Sequence, residues 1–314
     1  AQNEALYYDG LPLQYTKGDL ERFKDRTNPN YHPNVNWYEE GTRNFSENNQ
    51  FNVMMRGGGK RVRYMALLDY KNKFGLLNED YTHYSDRYNS QIRTYELGLR
   101  MNLDVDITSS TQMKFGLYGI IGEDKRPNTD INTIFQNFYK VPAAAFPVKT
   151  LNNNWGSNTL FKMNPIAAIA DVGYVQENRR MLETDMRITQ DFSMFLKGLS
   201  AEVAVAYDNT ATFQDIGSKT YKYEVGYLSE EGLPVSETYG TDSKVQISKS
   251  ALSAQLIRAS VEAKLNYDYT SGKHQLSVSA VYRQDMKEPL ENNASYYRQN
   301  VMGFVGYNYD NRYM

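Results

Sequence analysis

The stretch YELGLRMNLDVDI, residues 95–107, carries the reading of the fold. Tyr95, Leu97, Leu99, Met101, Leu103, Val105 and Ile107 alternate with Glu96, Gly98, Arg100, Asn102, Asp104 and Asp106. A helix would scatter the apolar set around its axis, whereas a strand places all of it on one face. The other face, with its arginine and aspartates, meets water. This segment reads as a strand.

Working outward, residues 108–111 (TSST) form a turn signal, and alternation resumes at Met113, Phe115, Leu117, Gly119 and Ile121. The same rhythm recurs along the chain. Nine strands are expected, at 49–56, 61–71, 92–107, 112–122, 181–191, 199–208, 252–269, 275–286 and 297–310. Their connections alternate short and long: 57–60, 72–91, 108–111, 123–180, 192–198, 209–251, 270–274 and 287–296. If each strand is antiparallel to the next, all short turns share one rim and all long loops the other. Outer-membrane barrels have that asymmetry. A Greek-key sandwich has no reason to segregate its loops in this way. The 92–107 strand also exceeds the roughly 9–11 residues that a tilted strand needs to cross hydrocarbon. The expected class is therefore all-β: an antiparallel transmembrane barrel with long extracellular loops.

Composition fits this class. Lys and Arg number 35 against 37 Asp and Glu, so no net charge draws the chain to nucleic acid. There are 27 tyrosines, 13 phenylalanines and 2 tryptophans, too many aromatics for a disordered polymer. No apolar run approaches the roughly 18 residues of a membrane helix. The opening AQNEALYYDG is not a signal peptide. Cysteine is absent, which excludes thiolate chemistry and disulfides. Tyr64, Tyr70, Tyr95, Tyr207, Tyr267, Tyr282 and Tyr307 sit where strands leave the apolar band, as interface aromatics with membrane lipid as their neighbour.

Nine strands cannot close a single-chain bacterial barrel, which uses an even number. Either a strand hides within 1–48, near Leu6, Tyr7 and Tyr8, or the chain is an arc of a larger barrel. The arc is favoured, since 314 residues over nine strands leaves long loops and the chain stops at Met314 directly after a strand. The division expected is 1–48 as a segment leading into the first long loop, and 49–314 as the partial barrel.

Four stretches resemble a known family. They are Tyr15–Leu20 with Asn28–Trp37 (NPNYHPNVNW), Arg56–Tyr64 running to Leu76, Tyr88–Asn89 leading to Arg100–Asp104, and Asn164–Ala167 (NPIA). Together they resemble the region after the plug in SusC/RagA-type TonB-dependent outer-membrane transporters of Bacteroidota. Asn36 stands where the family usually has Asp, and Ser90, Gln91 and Ile92 interrupt the third motif. The resemblance covers nearly the whole chain but about a third of a full family member. It implies a roughly 22-stranded barrel with an N-terminal plug. It also implies a TonB box, a SusD-like surface lipoprotein as lid, and energised import of oligosaccharides or oligopeptides across the bacterial outer membrane. In that reading 1–48 is the post-plug segment.

Little enzymatic chemistry is legible. His32, His83 and His274 are far apart, without metal-ligand spacing, and no cofactor is expected. Residues 56–60 (RGGGK) lack phosphate-loop spacing. No serine–histidine pair shares a strand face. The expectation is a non-enzyme. Asp104, Asp106, Glu183, Asp185 and Glu262 read as a hydrated barrel wall, stiffened by Arg100 and Arg187. Trp155, Phe135, Phe138 and Tyr139, all in the 123–180 loop, are candidate ligand contacts because aromatic faces stack on sugars and peptide side chains. Packing of that loop against itself is the plainer reading of them. Two other functions share part of the pattern: a non-transporting barrel or adhesin, and a soluble all-β carbohydrate-binding module.

Overall fold

The structure, a computed structural model, describes residues 2–83, 88–229, 231–248, 250–290 and 295–310. The chain's last four residues, 311–314, and parts of the 72–91, 209–251 and 287–296 connections lie outside these. Among the described residues, nine long strands form one continuous wall. They are β1 (Asn48–Gly58), β2 (Val62–Phe74), β3 (Arg93–Asp106), β4 (Thr111–Pro127), β6 (Gly173–Asp191), β7 (Leu199–Ser218), β11 (Ala251–Ser271), β12 (His274–Pro289) and β13 (Tyr296–Tyr309). Each pairs antiparallel with the next, in the order β1-β2-β3-β4-β6-β7-β11-β12-β13. The first and last strands do not meet, so the sheet is open at both edges.

Register explains why the alternation was readable. Residues opposite one another in an antiparallel ladder share a face. One row runs Val62, Val105, Met113, Ile188, Val203, Ala263, Tyr282 and Val301, crossing eight strands without a charge. This face is bare: Met101, Val203, Leu265 and Val301 are 40%, 50%, 50% and 82% exposed. One residue along, the register turns to Arg63, Asp104, Lys114, Arg187, Ala204, Glu262 and Arg283 on the opposite face. The wall thus has a greasy side and a charged side, and among the described residues no second sheet packs on the greasy one.

The connections 59–61, 107–110, 192–198 and 272–273 fall on one rim and the long 75–92, 128–172 and 219–250 on the other. The last connection on that rim, expected to be long, spans only 290–295 because β12 runs on to Pro289. Gly198 closes one short turn with φ +86. A Cβ there would lie 1.9 Å from the Asp268 carbonyl oxygen, so only glycine allows the approach.

Several strands outrun the sequence reading on the long-loop side. The expected 181–191 begins at Gly173, 199–208 continues to Ser218, and 112–122 continues to Pro127. Periodicity marks a strand only where one face is apolar, whereas the ladder continues through polar residues. The possible strand near Leu6, Tyr7 and Tyr8 is corrected: Gln2–Tyr8 is a helix, α1. Residues 2–47 contribute α1, α2 (Lys17–Asp25) and α3 (Trp37–Gly41).

The long connections fold into a cap at their rim. It contains α4 (Glu79–Thr82), α5 (Ile131–Lys140), β5 (Trp155–Ser157), α6 (Ala167–Ala170), and a small sheet in which β5 pairs parallel with β8 (Tyr223–Leu228), itself paired with β9 (Pro234–Tyr239). Short β10 (Gln246–Ile247) adds to the upper end of β7. The cap holds an ordinary hydrophobic core of Trp37, Leu77, Ile134, Phe138, Phe146, Trp155, Ile166 and Ile169, each at most 5% exposed. Gly41 of α3 abuts Phe138 of α5, and a Cβ there would fall 2.4 Å from the ring.

Candidate functional site: the charged face and its cap

On the charged face, ion pairs cross strands. Glu96 accepts from Lys71 at 3.2 Å and from Arg179 at 2.6 Å. Arg63 reaches Asp106 at 3.3 Å and Asp104 at 3.9 Å. Arg283 meets Glu262 at 3.5 Å and Asp285 at 2.9 Å. Two expected pairings are corrected. Arg100 lies over the Tyr118 ring, 4.6 Å from its centroid, because Tyr118 is its direct cross-strand neighbour. Arg187 turns to Glu202 at 3.5 Å, a residue the alternation did not single out. Such exposed pairs contribute little each. Their function is to make this face wettable.

The cap is fixed by two buried carboxylates. Glu224 is 3% exposed and accepts from Asn152 at 3.0 Å, Thr150 at 3.0 Å and Asn154 at 2.8 Å. Burial pushes this carboxyl up, but bonds from Asn154, Thr150, Asn152 and Ser236 outweigh it and hold it below the usual carboxylate range. Asp171 accepts from the Trp155 indole N–H at 2.9 Å and from Lys219. Lys149 lies 3.3 Å from the Trp155 ring centroid. Burial lowers its ammonium to about 8, against the attraction of Asp171 and Asp242. Asn164 is fully buried. Its Oδ1 caps α6 through the Ile166 and Ala167 N–H groups, and its Nδ2 donates to the Gly156 and Val148 carbonyls.

The candidate aromatics divide. Trp155 and Phe138 lie inside the cap core, 2% and 5% exposed, and Phe135 packs against that core. Tyr139 projects outward, 75% exposed. The structure therefore gathers three of the four into packing and leaves one ring accessible. The belt tyrosines all lie on the greasy face. Tyr64 is 51% exposed and Tyr307 52%, while Tyr70 and Tyr95 meet edge to face at 5.7 Å. Glu224, Asp171 and Lys219 escaped the sequence reading. Nothing in their local spacing signals a role, since their partners lie in distant segments.

Among the described residues no three His, Asp or Glu side chains come together as a metal site. His32 instead bonds Asp19 at 3.0 Å. No helix is long and apolar enough to cross a membrane, which says nothing of strands.

Solved structures share this fold. The chain superposes on a segment of the RagAB peptide transporter with a TM-score of 0.58 and 11% identity, covering 98% of this chain and 37% of that one. Two further structures of the RagAB peptide importer, in "closed-closed" and "open-open" states, match with TM-scores of 0.54 and 0.53. Both are 12% identical and cover 91% of this chain and 33% of theirs. The wall and cap share the fold of the matching segment of those structures. This chain spans about a third of the length of those neighbours. No protein-family model and no curated protein sequence matches it.

Proposed function

We propose that this chain is an arc of a SusC/RagA-like, TonB-dependent importer of the bacterial outer membrane, carrying oligopeptides or oligosaccharides. The observation that carries the reading is the two-faced wall with open edges. Its greasy rows need hydrocarbon, and its charged face needs water. The free edges of β1 and β13 need further strands, because unpaired backbone groups cost several kcal/mol each in lipid, of order the transfer penalty of a polar amide. In this proposal the rest of the polypeptide closes the barrel and supplies the plug through which TonB acts, and a SusD-like lipoprotein closes over the cap. The role is transport, without a reaction. Tyr64, Tyr70, Tyr95, Tyr207, Tyr267, Tyr282 and Tyr307 form the lipid-interface belt. Of the four candidate contacts to cargo, Tyr139 is the one with an exposed ring, set against Tyr38 at 5.9 Å, while Trp155, Phe135 and Phe138 position the cap beneath it.

The test is uptake by cells expressing the full-length protein, using labelled peptide and labelled oligosaccharide pools. The proposal expects uptake that disappears when TonB is deleted. Surface retention without entry, unchanged by loss of TonB, would favour an adhesin. Purification of the full-length protein in plain buffer would contradict any membrane reading.

A further inference from the structure

The charged face is not evenly neutralised. Toward the long-loop rim, β7, β11, β12 and β13 enclose an open groove of about 460 Å³ lined by Asp208, Arg258, Asp285, Lys287, Tyr296 and Arg298, with Arg283 at its lower end. Four cations thus face two carboxylates. Arg283 is engaged by Glu262 and Asp285. Among the described residues, no ion pair within 4 Å engages Arg258, Lys287 or Arg298. Register sets both signs side by side: Arg258 stands opposite Asp208 on β7, and Arg298 opposite Asp285 on β12. Arg258 and Lys287 stand directly opposite one another on β11 and β12, a like-charge pair that destabilises a ladder. Lys287 and Arg298 approach the same Tyr296 ring, at 5.9 Å and 5.4 Å from its centroid. Two cations therefore share one tyrosine, and the groove as a whole keeps an excess of two positive charges.

Height on the wall bears on what could fill the groove. Arg258 stands thirteen residues above the lower end of β11 at Ser271. At roughly 3.3 Å per residue and a tilt near 45°, that is about 30 Å along the barrel axis, a full hydrocarbon thickness. The groove thus opens at the mouth of the lumen on the cap side, where cargo would arrive. Arg258 and Arg298 are exposed there and Lys287 is half-buried. Two guanidiniums offer bidentate donors and the ammonium a point charge, which suits a carboxylate.

Resting on the importer reading, we propose that this groove binds a carboxylate carried by the cargo, so that the transporter prefers acidic over neutral oligomers. Such a group could come from acidic peptide side chains or from uronic sugars, and the probes separate the two.

The experiment uses the full-length protein in lipid nanodiscs at low salt. The probes are an octapeptide with four glutamates, the same octapeptide with glutamines, a trigalacturonate and a neutral trisaccharide. At least one acidic probe should bind about tenfold tighter than its neutral twin, and that probe names the source. The double variant R258Q/R298Q should lose the preference. R258K/R298K should keep most of it, and R63Q, at the short-turn end of the wall, should keep all of it. Equal binding of acidic and neutral twins, or a preference that survives R258Q/R298Q in a protein still folded by heat-modifiable migration, would overturn the proposal. A wild-type protein that imports the glutamine peptide without charge preference loses this inference alone. One that binds and imports none of the four probes loses the importer reading as well.

Discussion

The wall and the cap solve opposite problems with the same twenty side chains. In the cap, Trp155, Ile166 and Phe138 lie within 5% of complete burial, and polar groups such as Asn164 and Glu224 are buried only with their bonds made. In the wall, Met101, Val203 and Val301 face outward and the charges face the other way. The cap buries its apolar side chains as a fold in water does. The wall is inside out: an uncharged apolar row crosses eight strands with Val203 and Val301 exposed, where soluble monomers usually display apolar patches of only a few hundred Å². In the proposed reading one chain requires two solvents, divided along the line where strand alternation gives way to long connections.

That contrast can be broken at either end. The largest expected effect is Trp155→Ala, which removes a fully buried ring and the indole bond to Asp171. It should destabilise the cap by about 3–5 kcal/mol. Protease sensitivity of the 128–172 connection should rise, while the wall keeps its heat-modifiable, barrel-like migration.

The wall offers a sharper contrast between neighbours. Met101→Arg places a cation on the greasy face and should cost about 2–4 kcal/mol in reversible folding into vesicles. Asn102→Arg, one residue along on the charged face, should change little. Equal costs would mean that the two faces do not differ in solvent.

Glu224→Gln should be intermediate. It leaves side-chain donors of Thr150, Asn152 and Asn154 facing an amide N–H₂, and an unsatisfied buried donor costs about 1–3 kcal/mol. Loosening should be confined to residues 150–154 and β8–β9, detectable by hydrogen exchange.

The smallest effect concerns α2. Bonds from the Thr16 side chain and backbone, and then from His32, lower the Asp19 carboxyl from 3.8 to about 2. Because the folded value is depressed, this stabilisation is fully present above pH 3.8 and is lost as pH falls toward about 2. Pepsin cleavage near residues 16–32 should increase across that window, and Asp19→Asn should remove the dependence.

The wall was legible in sequence because period-two hydropathy needs only local information. Tyr95 to Ile107 announces a strand without knowledge of its partners. The open edge was legible too, from an odd count of nine. The cap was not. Its core draws Trp37, Leu77, Ile134, Trp155 and Ile166 from five separate segments; α4 and α6 are too short to show a period, and the helical spacing of Ile131, Ile134, Phe135 and Phe138 in α5 was overlooked inside a stretch read as loop. The upper ends of β6 and β7 were missed because apolar residues there are sparse and fall on both faces, Tyr174 and Val175 in β6 and Phe213 and Ile216 in β7, which breaks the alternation. Pairing of Arg100 and Arg187 was misjudged because register and rotamer choose among several neighbours of similar charge. The helix at Gln2–Tyr8 carries aromatic residues that suit a strand equally well.

The most direct test of the account places nitroxide labels one at a time at residues 99–104 of the full-length protein in bilayers and measures collision with oxygen and with a water-soluble nickel chelate. The account predicts a period-two oscillation, with 99, 101 and 103 favouring oxygen and 100, 102 and 104 favouring nickel. Labels at 99, 101 and 103 shielded from both reagents, as they would be beneath a second sheet, would contradict it.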